Sequence, residues 1–260
     1  MKQYSVLYNF GFSAAVCGVC AILVSSAAVS LRPLQERNEK LEIQINVLEA
    51  AGMIEAGEKP SVAEVDQMFE RIEPVVIDLQ SGEKTDIDPA TFDQQAAKKD
   101  PATSRDAPEN RARVLHLPLH ALIYQVMGKN AQVEKLVLPI EGYGLWGTLY
   151  GFIALDADTT TVEGLTYYDH KETPGLGAEV DNPRWKALWV GRKAYDENWQ
   201  PQLTVIKGRA GPAAEDPYRV DGLSGATLTS NGVREMLALW LGPDGFAPYL
   251  EKFRQARRAV

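Results

Sequence analysis

The chain has 260 residues, 45% of them hydrophobic and 24% charged, the balance of a globular protein with room for one large or two small domains. A formal net charge of −8 argues against a nucleic-acid partner, which needs a basic face. The only cysteines, Cys17 and Cys20, lie near the N-terminus, so the rest of the chain has neither a disulfide framework nor a thiol nucleophile.

No charged residue occurs from Gln3 to Leu31, between Lys2 and Arg32. At ~1.5 Å per helical residue this stretch exceeds the ~20 residues that cross a bilayer. Ser26-Ala27-Ala28 resembles a signal-peptide cleavage site, but the apolar run outlasts the ~7–15 residues of a signal h-region. A retained anchor is the expectation. Arg32, Arg37 and Lys40 follow the span, so charge alone does not orient it. The Cys17-x-x-Cys20 spacing invites a metal reading; without a second ligand pair nearby it reads as small apolar residues in a helix, because structural zinc takes four ligands.

Pro33 to Ala51 is predicted as a helix leaving the membrane, with Leu34, Leu41 and Leu48 at heptad spacing, Ile45 between them and Gly52 as its stop. Ser61-x-x-Glu64 is a capping box for a helix whose apolar face is Val65, Met68, Phe69 and Ile72. Val75 to Leu79 reads as a strand. The stretch 82–110 is polar and proline-broken, with one short helix near Phe92. Strands are predicted over Ala112–Val126, Val133–Ile140, Thr148–Leu155, Val162–Tyr168, Leu203–Lys207 and Tyr218–Val220. Asn182-Pro183 caps a short helix through Trp185, Leu188 and Trp189. Val233, Met236, Leu237, Trp240 and Leu241 form a helical stripe that Gly242-Pro243 stops, and a last helix runs over Asp244–Arg258. The pattern predicts an anchor over 1–32, a juxtamembrane helix-and-loop region over 33–110, and an α+β domain with an antiparallel or mixed sheet over 111–260.

Three loops carry candidate chemistry. Gly142-Tyr143-Gly144-Leu145-Trp146-Gly147 matches GxGxxG, but a dinucleotide site needs a helix after it and Thr148–Ile153 alternates like a strand. Gly222-Leu223-Ser224-Gly225-Ala226 approaches a hydrolase nucleophile elbow, yet that fold places its histidine after the serine and none of His116, His120 or His170 does so. The loop Asp169 to Gly177 carries His170, Glu172 and Leu176 on a turn fixed by Pro174, Gly175 and Gly177. Before the last striped helix but one, Asp221 to Ser230 crowds hydroxyls at a helix start, with Thr227, Thr229, Ser230 and Asn231 all able to cap it. A helix N-terminus of this kind suits a phosphate.

Together, Ser224-Gly225-Ala226-Thr227, Glu172-Thr173-Pro174-Gly175-Leu176-Gly177 and Gly142 to Trp146 resemble the FMN-binding domain of one family, the C subunits of the bacterial sodium-translocating NADH:quinone oxidoreductases. The G subunit of the Rnf complex is a relative. The resemblance covers nearly the whole chain, including the N-terminal span.

It implies that Thr227 carries FMN through a phosphoester, made from FAD by a separate Mg²⁺-dependent flavin transferase, with Ser224, Gly225 and Ala226 allowing close backbone approach. Leu145, Trp146, Thr173 and Leu176 are then expected to pack on the isoalloxazine. Glu172 would hydrogen-bond the ring or tune its potential, and Lys207 would pair with the phosphate. Thr229 is the competing acceptor. The resemblance further implies a single-pass protein of the bacterial inner membrane with a periplasmic FMN domain. It would sit in a six-subunit complex with the FMN-bearing B subunit and the membrane-embedded D and E subunits. Electrons would pass one at a time from an iron–sulfur centre to the B subunit, as flow from NADH to ubiquinone drives Na⁺ export. An Rnf-type redox carrier, an unflavinylated membrane-tethered binding module and an anchored hydrolase using Ser224 are the alternatives.

Overall fold

The computed structural model describes residues 5–258; residues 1–4 of the predicted anchor and 259–260 of the predicted domain lie outside them. The chain divides into two compact units, Met1–Ile43 and Gln44–Val260.

In the first unit lies most of helix α1, Val6–Ala50, which is long and apolar enough to cross a membrane. Cys17 and Cys20 are exposed on it as free thiols. The helix expected to leave the membrane from Pro33 continues the apolar helix without a break, so Pro33 lies inside one continuous helix. Proline removes one donor and crowds the carbonyl four residues earlier, a local cost that the unbroken ladder on either side outweighs.

The second unit begins with the last turns of α1. Val47, Leu48 and Ala50 are fully buried, and Gly52, at φ +66°, ends the helix as expected. Lys186 Nζ lies 2.7 Å from a Glu49 carboxylate oxygen and Lys135 Nζ donates to the Ala51 carbonyl at 2.7 Å. On Gly164 a Cβ would meet the Ala50 carbonyl oxygen at 2.4 Å. Helix end and sheet therefore touch backbone to backbone.

Helix α2, Val62–Phe69, opens on the predicted Ser61–Glu64 capping box. Ile72, expected on its apolar face, starts strand β1, Ile72–Asp78. Helix α3, Gln94–Lys99, has Asp93 as its cap, and strand β2, Ser104–Asp106, follows. The strand expected over Ala112–Val126 is two: β3, His116–Pro118, pairs with β2, and β4, His120–Met127, joins the main sheet. Pro118 has no N–H for a continuing ladder, so the chain changes sheets there.

Strands β5, Val133–Tyr143, β6, Thr148–Asp156, and β7, Val162–Asp169, complete a five-stranded antiparallel sheet of order β1-β4-β5-β6-β7. Its first strand comes from the stretch read as juxtamembrane. After β7 come a 3₁₀ turn, Gly177–Asp181, and helix α4, Pro183–Lys186, capped by Asn182 as expected. Strands β8, Thr204–Val205, and β9, Arg219–Val220, form a short parallel pair.

Helix α5, Thr227–Trp240, buries Val233, Met236, Leu237 and Trp240, the predicted stripe. Trp240 Nε1 donates to the Glu141 carbonyl at 2.7 Å, fixing α5 on β5. Helix α6, Ala247–Arg258, starts later than the expected Asp244, because Gly245 N and Phe246 N turn back to the carbonyls of Gly242 and Trp240.

Candidate functional site

Three segments meet where β5 turns into β6, β7 ends and α5 begins. The Gly142–Gly147 stretch is a tight hairpin closed by Gly144 N to the Gly147 carbonyl at 2.8 Å. The element that follows it is strand β6 and not a helix, so a dinucleotide loop is ruled out on context.

Glu172 joins the segments. Its side chain is buried, at 6% exposure. Oε1 accepts from Leu145 N at 2.9 Å and Trp146 N at 3.0 Å, while Oε2 accepts from Thr229 Oγ1 at 2.5 Å. Cβ atoms on Gly144 and Gly177 would lie 2.6 and 2.3 Å from these oxygens, so both glycines make room for the carboxylate. Behind it, Glu172 N donates to His170 Nδ1 at 3.2 Å, and His170 Nε2 lies 2.7 Å from Asp181 Oδ2. The Asp181 hydrogen bond raises the His170 pKa above its ordinary value, against the opposing effect of burial.

The Asp221–Ala226 turn is equally tied. Asp221 Oδ1 accepts from Ala210 N at 2.8 Å and its carbonyl from Trp185 Nε1 at 2.9 Å. Gly222 N donates to the Gly208 carbonyl at 3.0 Å. Gly225 takes φ +73°, a left-handed conformation that favours glycine, and a Cβ there would stand 3.1 Å from Leu176 Cδ2.

Helix α5 opens at Ala226, and no side chain caps it. This corrects the expectation that Thr227, Thr229, Ser230 or Asn231 would. The cap position falls on Ala226, one residue before any of them, so each of these side chains lies inside the first turns and cannot reach forward to the N2 or N3 amide. The motif's hydroxyls sort by environment. Thr229 is fully buried and donates to Glu172; Ser230 is buried and accepts from Leu223 N at 2.9 Å. Ser224 and Thr227 are exposed. Around them stand large apolar side chains in the open: Leu145 39% exposed, Trp146 62%, Leu176 44% and Leu228 58%.

Of the sequence-predicted residues, the structure gathers Leu145, Trp146, Glu172, Leu176, Gly225 and the first turn of α5. Thr173 is exposed and its carbonyl receives Leu176 N and Ala178 N, both at 3.1 Å, so it shapes the loop. Lys207 is exposed on the loop that pairs with Gly222, and among the described residues no salt bridge engages it. Sequence reasoning missed the Thr229 hydrogen bond, the His170–Asp181 pair and Leu228. The last had a signal: a leucine on the polar side of an otherwise clean helical stripe.

An exposed hydroxyl at an uncapped helix start beside exposed apolar side chains fits a phosphorylated ligand with a flat ring, because free first-turn amides receive the anion and the apolar side chains cover the ring. Residues 144–242 match the FMN-binding domain family, and that range contains the hairpin tip, Glu172 and the Thr227 turn. The C subunit of the Na⁺-translocating NADH-quinone reductase of Yersinia pestis is 45% identical over 249 residues, 92% of this chain and 90% of the relative. That of Pseudomonas aeruginosa is 46% identical over 245 residues, 92% of this chain and 93% of its own. The chain belongs to the C-subunit family of Na⁺-translocating NADH-quinone reductases. Two solved relatives share the fold. NqrC of Shewanella oneidensis has a TM-score of 0.77 at 29% identity, over 84% of this chain and 99% of that one. The C subunit from Parabacteroides distasonis has a TM-score of 0.64 at 27% identity, over 85% and 96%. As a member of this family, the protein is one component of a multi-subunit oxidoreductase and contributes its FMN-binding domain.

Proposed function

We propose that this C subunit carries FMN as a phosphoester on the Thr227 hydroxyl and relays electrons within its complex. The observation that carries the site is the sorting of hydroxyls: Thr227 is exposed on the first residue of an uncapped helix, whereas Thr229 and Ser230 are buried and hydrogen-bonded. In the attachment reaction the Thr227 oxygen bonds to the FMN phosphorus of FAD, the pyrophosphate link breaks, AMP leaves and the hydroxyl proton is lost; a flavin transferase would catalyse it. The resulting diester keeps one negative charge, which the first-turn amides of α5 would receive.

When bound, FMN supplies reversible electron transfer. The chain's own residues hold it. Leu145, Trp146 and Leu176 offer apolar surface to the ring, Thr173 and Gly225 shape the loops beside it, and Lys207, exposed on the neighbouring loop, would pair with the phosphate. Nothing in the arrangement requires a protein nucleophile toward substrate. The electrons would come from the membrane-embedded D and E subunits and pass to the flavin of the B subunit, in step with Na⁺ export and ubiquinone reduction. Helix α1 would hold the protein in the bacterial inner membrane, with the FMN domain on the periplasmic side.

Intact mass of the full chain, expressed with and without the transferase, tests attachment. An increase equal to one FMN less one water, seen only with the transferase, is expected; an unchanged mass would leave a tethered module without flavin. For orientation, an alkaline-phosphatase fusion after Val260 should be active, and an active cytoplasmic reporter there would reverse the assignment.

A further inference from the structure

Glu172 is placed as a strut rather than as a ring ligand. Its two carboxylate oxygens receive two backbone amides from the hairpin tip and a hydroxyl from the third residue of α5. All three partners donate, which suits the acceptor-only carboxylate. The carboxylate sits in a cradle cut by Gly144 and Gly177, and among the described residues no lysine or arginine pairs with it. A negative charge is thereby set directly beneath the amides of Leu145 and Trp146, whose side chains form the exposed apolar rim.

We infer that Glu172 is a positioning residue with two separable effects on a flavin held at this site. Its hydrogen bonds fix the Leu145–Trp146 rim against the start of α5, and its buried charge lowers the flavin's reduction potential. The inference rests on the proposed attachment at Thr227. The first effect follows from connectivity: the hairpin tip has no helix or strand of its own, so cutting the strut frees the rim from α5. The second follows from electrostatics, since adding an electron beside a fixed negative charge in a poorly screened site is disfavoured.

Three variants of the flavin-loaded full chain separate these effects. In Glu172→Gln the amide oxygen can still accept from both backbone amides and the NH₂ can donate to Thr229 Oγ1, so geometry survives while the charge is removed. In Thr229→Val the charge and the two backbone contacts stay, but the tie to α5 is lost at nearly constant volume. Glu172→Ala loses both. Mass spectrometry first establishes FMN on Thr227 in each preparation. Flavin fluorescence anisotropy and quenching by neutral acrylamide then read ring immobilisation, and a redox titration reads the midpoint potential.

Expected are a positive shift in potential with unchanged anisotropy for Glu172→Gln, and lowered anisotropy with increased quenching for Thr229→Val. Glu172→Ala should show both changes; if it does not fold, the other two variants decide. An unshifted potential in Glu172→Gln, or an equally immobile ring in Thr229→Val, with FMN shown on Thr227, would overturn the inference. Absence of FMN from the wild-type mass would instead overturn the attachment on which it rests.

Discussion

Gly232 of α5 and Tyr143 at the end of β5 meet without a side chain between them: a Cβ on Gly232 would lie 2.3 Å from the Tyr143 carbonyl oxygen. The helix is thus pressed onto the strand that leads into the Leu145–Trp146 tip. Gly232→Ala improves helix propensity but forces this contact apart. Overpacking of this kind costs about 1–3 kcal/mol, and urea unfolding of the full chain in detergent should show a lower midpoint.

Thr227→Ala should abolish the FMN mass increase and in-gel flavin fluorescence, with no transfer of the label to Thr229, whose hydroxyl is buried and committed to Glu172. Ser224→Ala should keep the label, although Ser224 is exposed. Peptide mapping after co-expression with the transferase distinguishes the two. A label on Thr229 in the Thr227→Ala protein would refute the sorting of hydroxyls by burial.

His170 should make stability depend on pH. Its native pKa is raised above 6.5, first by the Asp181 hydrogen bond and further by the charges of Asp181, Glu172 and Asp169, against burial. The folded state therefore binds this proton more tightly than the unfolded chain. The stabilisation is fully present below about pH 6.5, the unfolded value, and is lost as pH rises through the native pKa. Protonation gives up the 3.2 Å contact from Glu172 N and strengthens the one to Asp181. Unfolding free energy measured across neutral pH should fall with this slope in the wild type and lose it in His170→Gln.

Leu48 is fully buried at the end of α1, within the unit that begins at Gln44. Leu48→Ala should cost about 2–5 kcal/mol, the range for a buried leucine whose cavity does not collapse. Leu34→Ala, exposed in the other unit, should leave chemical denaturation of the sheet domain unchanged. Tryptophan fluorescence follows both, since Trp189 and Trp240 lie in the core.

The strands β5, β6 and β7 were legible as short, largely apolar runs, buried on both faces through their middles and bounded by turn residues, and α5 was legible from its stripe. The loops drew notice for their glycines, hydroxyls and charges. What those residues do was not legible. Gly144 and Gly177 read as turn formers, whereas their role is to leave space for a carboxylate that arrives from another part of the chain. Glu172 was expected to hydrogen-bond the ring or tune its potential; its link to Leu145 N, Trp146 N and Thr229 Oγ1 was not legible because these donors are 26 to 57 residues away. The cap of α5 was read from composition when one residue of phase decides it.

The missing cap on α5 has a thermodynamic meaning. An unmodified chain begins this helix with amides that no side chain caps, so its first turn should fray and exchange its hydrogens quickly. An anion fixed on Thr227 would close that end as a capping side chain does elsewhere. Amide exchange at Leu228 and Thr229 would then slow on modification, and resistance to proteolysis near Ser224 would rise. Maturation would also be the last step of folding, and the loaded protein would be the more durable one.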